Sequence, residues 1–133
     1  MIWQSGVMAI DFDDIVAMTA DLPMVGVGTN YGTPAVQVKG KAFCRMWDAN
    51  RYVKAGVTDT EVLVVFSELE AKDEILAAFP DMAFETDHYT GYGAFLVRLA
   101  DVEPDLLADW LEESYRLRAP KTALKQLDAR TDG

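Results

Sequence analysis

The chain has 133 residues, 50% of them apolar and 26% charged, with a net charge of −10. That length fits one domain able to bury roughly 65–70% of its unfolded surface, so bulk disorder is excluded and no staple is needed. Cys44 and His88 are the sole cysteine and histidine, which excludes an intrachain disulfide and a closed Cys/His zinc site.

The first helix is predicted to start at Asp11, which can cap it, with Asp13 and Asp14 at the positive end of its dipole. Phe12, Ile15, Val16 and Thr19, with Leu22, follow helical spacing, and Leu22-Pro23 ends it. A strand is expected over Val25–Asn30, then a turn at Gly32-Thr33-Pro34. Ala35–Lys39 and Lys41–Trp47 read as two strands joined tightly at Gly40. Strict alternation sets Ala42, Cys44 and Met46 on one face, and Phe43, Arg45 and Trp47 on the other. Asp48-Ala49-Asn50 reads as a turn, and Arg51–Lys54 is short and of open type. Glu61–Phe66, β-branched and apolar, is the strongest strand signal.

Ser67-Glu68-Leu69-Glu70 has the form of a capping box. It opens a helix carrying Leu69, Leu76 and Phe79 and stopped by Pro80. Strands over Ala83–Thr86 and Ala94–Leu99 flank a Gly91-Tyr92-Gly93 turn. Pro104 suits the first position of a helix whose inner face is Leu107, Trp110, Leu111 and Ser114. Pro120 starts a last helix through about Leu127. The expectation is a single domain over 1–133 with loosely ordered ends at 1–10 and 128–133. Its class is α+β: an antiparallel sheet with helices packed on one face, one N-terminal, one central and two C-terminal.

Met1 to Gly6 lacks a basic segment and a long apolar core, and no run reaches the roughly 18 apolar residues of a membrane span. A soluble, reduced, cytoplasmic protein without membrane partners is expected. No cofactor or metal is implied. Gly26-Val27-Gly28 and Gly32 miss the dinucleotide fingerprint by one residue and lack its strand-before, helix-after context. Asp11, Asp13 and Asp14 are accounted for by capping, and Glu112-Glu113 beside Asp109 read as a solvated helix face.

Two places retain functional interest. His88 lies in Thr86-Asp87-His88-Tyr89-Thr90-Gly91-Tyr92-Gly93, where His88, Tyr89 and Tyr92 could border a ligand site. A thiolate–imidazolium pair of Cys44 with His88 has no local motif behind it, and a small apolar role suits Cys44. The second place is a basic hairpin. Lys39, Lys41, Arg45, Arg51 and Lys54 cluster around Asp48 and are interleaved with Phe43, Trp47 and Tyr52. Such a ribbon can approach phosphates and stack on bases.

Several motifs occur in a shared order. They are Leu22-Pro23, Tyr31-Gly32-Thr33-Pro34-Ala35, Val38-Lys39-Gly40-Lys41-Ala42-Phe43, Thr86-Asp87-His88-Tyr89, Leu96-Val97-Arg98-Leu99, Ser114-Tyr115-Arg116 and Ala119-Pro120-Lys121. Together they resemble the MmcQ/YjbR family over about residues 11–127. The resemblance implies a CyaY-like α+β fold and DNA-binding-like behaviour through a "double wing" of β-hairpins, with no established enzymatic activity to carry over. Lys39, Lys41 and Arg45 would lie on or beside one wing, and the Tyr89-to-Gly93 turn on the other.

Three functions follow for test. A non-enzymatic module binding duplex DNA weakly and salt-sensitively needs the hairpin cations on one exposed face. A protein-interaction or regulatory module needs Trp110 or Tyr115 partly exposed in an apolar patch. A small-ligand binder or an enzyme needs a pocket where His88 and Tyr89 converge, with Cys44 or Arg98.

Overall fold

The computed structural model describes residues 9–48, 56–57 and 60–132, with side chains up to residue 130. Helix α1 runs Phe12–Thr19, with Asp11 and Asp14 forming a reciprocal capping box. It ends before the Leu22-Pro23 signal, because Ala20 already closes the last turn. Strands β1 (Val25–Asn30), β2 (Thr33–Val38) and β3 (Lys41–Met46) form a meander. Strand β4 is Val62–Phe66, followed by α2 (Leu69–Ala78), β5 (Ala83–Phe84), a short 3-10 turn (Asp87–Tyr89) and β6 (Ala94–Arg98). Helices α3 (Pro104–Arg118) and α4 (Lys121–Asp132) complete the order. The last helix therefore runs past Leu127 through the stretch expected to be loose.

The strands form one antiparallel sheet in the order β1-β2-β3-β4-β6-β5. Both meander turns have positive φ at both central residues: Tyr31 and Gly32 at 53° and 78°, Lys39 and Gly40 at 49° and 79°. That geometry matches the twist of two-residue hairpins, and it begins β2 at Thr33 rather than after Pro34.

The helices cover one face of the sheet. Val36, Val38, Cys44, Leu63, Val65, Phe95 and Val97 pack there against Ile15, Leu107, Leu111 and Tyr115. Burying a side chain of this size contributes about 1.5–3 kcal/mol. Trp110 sits in the same core, edge-on to Phe79 and Phe95. The opposite face is not bare. Ala35, Ala42, Trp47, Val57, Val62, Val64, Phe66, Ala94 and Leu96 form a second apolar cluster, capped by Tyr89. Both faces of β4 are thus buried, which explains its unbroken apolar run.

A bulge departs from the strict alternation expected for β3. Val36 pairs with Cys44 while Gln37 pairs with Ala42, leaving Phe43 as the extra residue. Phe43 and its neighbour Cys44 therefore both enter the helix-side core, and Phe43 packs edge-on against Tyr115 at 5.6 Å. Arg45 and Trp47 share the other face with Ala42. Helix α3 uses the carbonyls at the bulge: Ser114 Oγ donates to Phe43 O, and Arg118 Nε donates to Ala42 O.

The capping box expected at Ser67 does not form. Ser67 N–H donates to Gly93 O, extending the β4–β6 pairing by a residue, and Glu68 becomes the N-cap without a side-chain bond. The Ser67 hydroxyl is left buried without a partner among the described residues. On α2, Leu69 is exposed and Lys72 is the buried residue. The strand expected over Ala83–Thr86 stops at Phe84.

Candidate functional site: an aromatic cleft and a cationic track

Lys72 organises the segment that carries His88. Its side chain is only 1% exposed. The ammonium donates to Tyr89 O at 2.6 Å and Tyr92 O at 2.8 Å, and pairs with Glu85 at 2.7 Å. Three acceptors use all three donors of a lysine, which is what makes its burial tolerable. The result is a tight loop over the sheet. Gly93 is required at its end, since a Cβ there would lie 2.8 Å from Ser67 O.

Tyr89 is laid by this loop onto the second sheet face, where its hydroxyl accepts from Arg45 Nη2 at 2.9 Å. The Arg45 guanidinium lies 5.4 Å from the Tyr31 ring centroid, a cation–π distance. Tyr31 stands at the tip of the β1–β2 hairpin and is 83% exposed. His88 meets Tyr89 edge-on, and Tyr92 tilts against it. Tyr31, Arg45, Trp47, Asp48, His88 and Tyr92 border, with Tyr89, a cleft of about 470 Å³. Among the described residues Arg45 has no carboxylate partner, and its Nε is buried without a hydrogen bond.

The expected convergence of His88, Tyr89 and Tyr92 is present, with Arg45 added. Cys44 is not part of it. Cys44 faces the helix-side core, and burial pushes its thiol up to about 12, only partly opposed by a hydrogen bond at the Val36 backbone. No thiolate–imidazolium pair with His88 is formed. Arg98 lies elsewhere, bonded to Asp101.

The basic hairpin divides. Lys39 and Lys41 are exposed at its turn, whereas Arg45 is half-buried at the far end of β3. Phe43 is core and Trp47 is buried, so neither offers an open stacking face. Arg51, Tyr52 and Lys54 lie outside the described residues. The gap between the two parts is bridged by other residues. Lys39 and Lys41 border a shallow cleft with Arg118. Lys41 and Arg118 border the next with Tyr92 and Gly93. Tyr92 in turn borders the Arg45 cleft. Arg118, stacked at 4.4 Å on the Phe66 ring, was not among the cations expected at the site. Asp48 is the acid bordering this run of clefts.

Trp110 and Tyr115, at 6% and 0% exposure, form no exposed aromatic patch, and Tyr115 donates to Pro23 O. Among the described residues no group of three His, Cys, Asp or Glu side chains converges on a metal position. No helix among them is long and apolar enough to cross a membrane.

The sequence pattern of the YjbR family matches residues 20–117, from the end of α1 to the end of α3. The chain belongs to the YjbR family. Its matched region includes both hairpin turns, the Lys72-held loop and the cleft. Uncharacterised proteins of Mycobacterium bovis and Mycobacterium tuberculosis are 38% identical over 55 residues. That alignment covers 41% of this chain and 43% of each relative. The crystal structure of a Deinococcus radiodurans protein with a DUF419 domain is similar in fold. The TM-score is 0.64 at 20% identity, covering 86% of this chain and 81% of that one.

Proposed function

We propose that this YjbR-family chain is a non-enzymatic binding module that contacts duplex DNA weakly and salt-sensitively. The contacts run through the turn of the β2–β3 hairpin and the track beginning there. One observation carries the reading. On a chain of net charge −10, adjoining clefts string Lys39, Lys41, Arg118 and Arg45 together along exposed tyrosines, with Asp48 as the acid bordering them among the described residues. A local cationic strip on an acidic body confines phosphate contacts to that strip, because screening limits repulsion from the rest to about 8 Å at physiological salt. The Tyr89-to-Gly93 turn, which the resemblance would make a second wing, lies flat on the sheet rather than projecting, and its Tyr92 borders the same cleft as Lys41.

The test is fluorescence anisotropy of a labelled random duplex at about 50 and 150 mM salt. Four phosphate contacts give a salt slope near −3.6, so affinity should fall about 50-fold between the two conditions. Lys39→Glu with Lys41→Glu should abolish binding while leaving the fold intact, because both side chains are exposed. No binding at the lower salt, at protein up to roughly 100 μM, would refute the reading.

A further inference from the structure

A charged side chain set into a sheet face ordinarily has a counter-charge. Arg45 is half-buried on the second face of the sheet, opposite Val64 across the β3–β4 pairing. Among the described residues its hydrogen bond is to the Tyr89 phenol, and its Nε is enclosed and unpaired. Leaving a buried donor unsatisfied is costly. The fork of a guanidinium matches a carboxylate or a phosphate oxygen pair. The cleft around it is lined by the flat, unsaturated rings of Tyr31, Trp47, His88, Tyr89 and Tyr92, with the Asp48 carboxylate at its border. At about 470 Å³ the cleft has the size of a small-molecule site.

Two local features set the position of the rings. Tyr31 stands at the first turn position of its hairpin, at the φ of 53° that this turn requires. Lys72 gives every donor to the Tyr89–Tyr92 backbone and Glu85, which fixes the loop that carries His88 and Tyr92.

We infer that the Arg45 cleft is a binding site for a small planar anion, a ring bearing one carboxylate or phosphate. Arg45 takes the anionic group through the terminal part of its guanidinium that Tyr89 leaves open, and Tyr31, His88 and Tyr92 hold the ring. This goes beyond the nucleic-acid reading and does not depend on it: Lys39 and Lys41 lie outside the cleft.

The experiment is an ¹H–¹⁵N titration of the full chain with adenosine 5′-monophosphate, 1-naphthoate and neutral adenosine. Both anions should give saturable shifts confined to residues 31, 45–48 and 87–93 and to the Arg45 guanidinium, at submillimolar to millimolar concentration. Naphthoate alone saturating would identify a carboxylate ligand, and the monophosphate alone a phosphate ligand; both support the site. Arg45→Met should weaken binding at least about tenfold, and Arg45→Lys by less. Lys39→Glu with Lys41→Glu should leave it unchanged, which separates this site from the track. Should Arg45→Met prove unfolded, Arg45→Lys and Tyr31→Ala carry the test. No saturable shift with either anion up to roughly 10 mM, or adenosine binding as well as its monophosphate, would overturn the inference.

Discussion

Replacing Lys72 by methionine keeps most of the side chain's volume and removes its charge and three donors. Two of the lost bonds are to the Tyr89 and Tyr92 carbonyls. A hydrogen bond to a charged group contributes about 1.5–3 kcal/mol. Each carbonyl keeps one backbone partner, from Tyr92 N and Ala94 N respectively, so neither is fully orphaned. Glu85 is 32% exposed and can turn to water. Taking a charge out of the interior offsets part of the loss. The net expectation is a destabilisation of about 2–3 kcal/mol, or roughly 7–11 °C in Tm for a domain of this length. Urea denaturation should show a lower midpoint with an unchanged slope. Amide exchange should accelerate at residues 87–93 and leave β4 protected. A loss below about 0.5 kcal/mol would refute the claim that Lys72 holds the loop.

Lys39→Asn should stabilise the domain by about 0.5–1 kcal/mol, because asparagine tolerates the φ of 49° at the first turn position better than lysine does. The same change should weaken DNA binding, so thermal shift and anisotropy should move in opposite senses. Gly93→Ala should cost about 1–3 kcal/mol in chemical denaturation, since its methyl would meet Ser67 O at 2.8 Å and backbone cannot rotate aside. Cys44 should resist a thiol reagent at pH 8 in the folded state and react at once in denaturant. Its thiol ionises near 12 when folded against a reference value of 9.0. The unfolded chain therefore loses the proton first as pH rises. Stability should fall between about pH 9 and 12, with Cys44 contributing up to roughly 1.4 kcal/mol per pH unit, and Cys44→Ala should flatten that slope.

Local chemistry was legible in the sequence wherever it was decided locally. Asp11 caps α1, Pro104 opens α3, β1 has its expected limits, and Lys39-Gly40 turns the hairpin, all within a few residues of chain. Apolar periodicity sufficed to place Leu107, Trp110, Leu111 and Ser114 on the buried face of α3. Ser67 shows where this kind of reading stops. Its sequence suits a cap, but its backbone N–H pairs instead with Gly93, the residue before β6. The bulge at Phe43 is the larger case. One extra residue reverses which face every later side chain of β3 occupies, and its stabilising bonds come from Ser114 and Arg118, more than seventy positions away.

The candidate site divides along the same line. His88, Tyr89, Tyr92 and the hairpin cations are visible as residue types in a suggestive order. That Arg45 turns toward them and Cys44 away follows from the bulge, and that their loop lies flat on the sheet follows from Lys72. A lysine set among Glu70, Asp73 and Glu74 reads as solvated, and nothing in its neighbours marks it as buried. By itself the sequence determined the class of fold, the starts of α1 at Asp11 and α3 at Pro104 and the hairpin turn at Lys39-Gly40, since these depend largely on contacts within a turn or a strand. Only the tertiary structure decided which charges meet which rings, because that depends on register and on bonds between residues far apart in the chain.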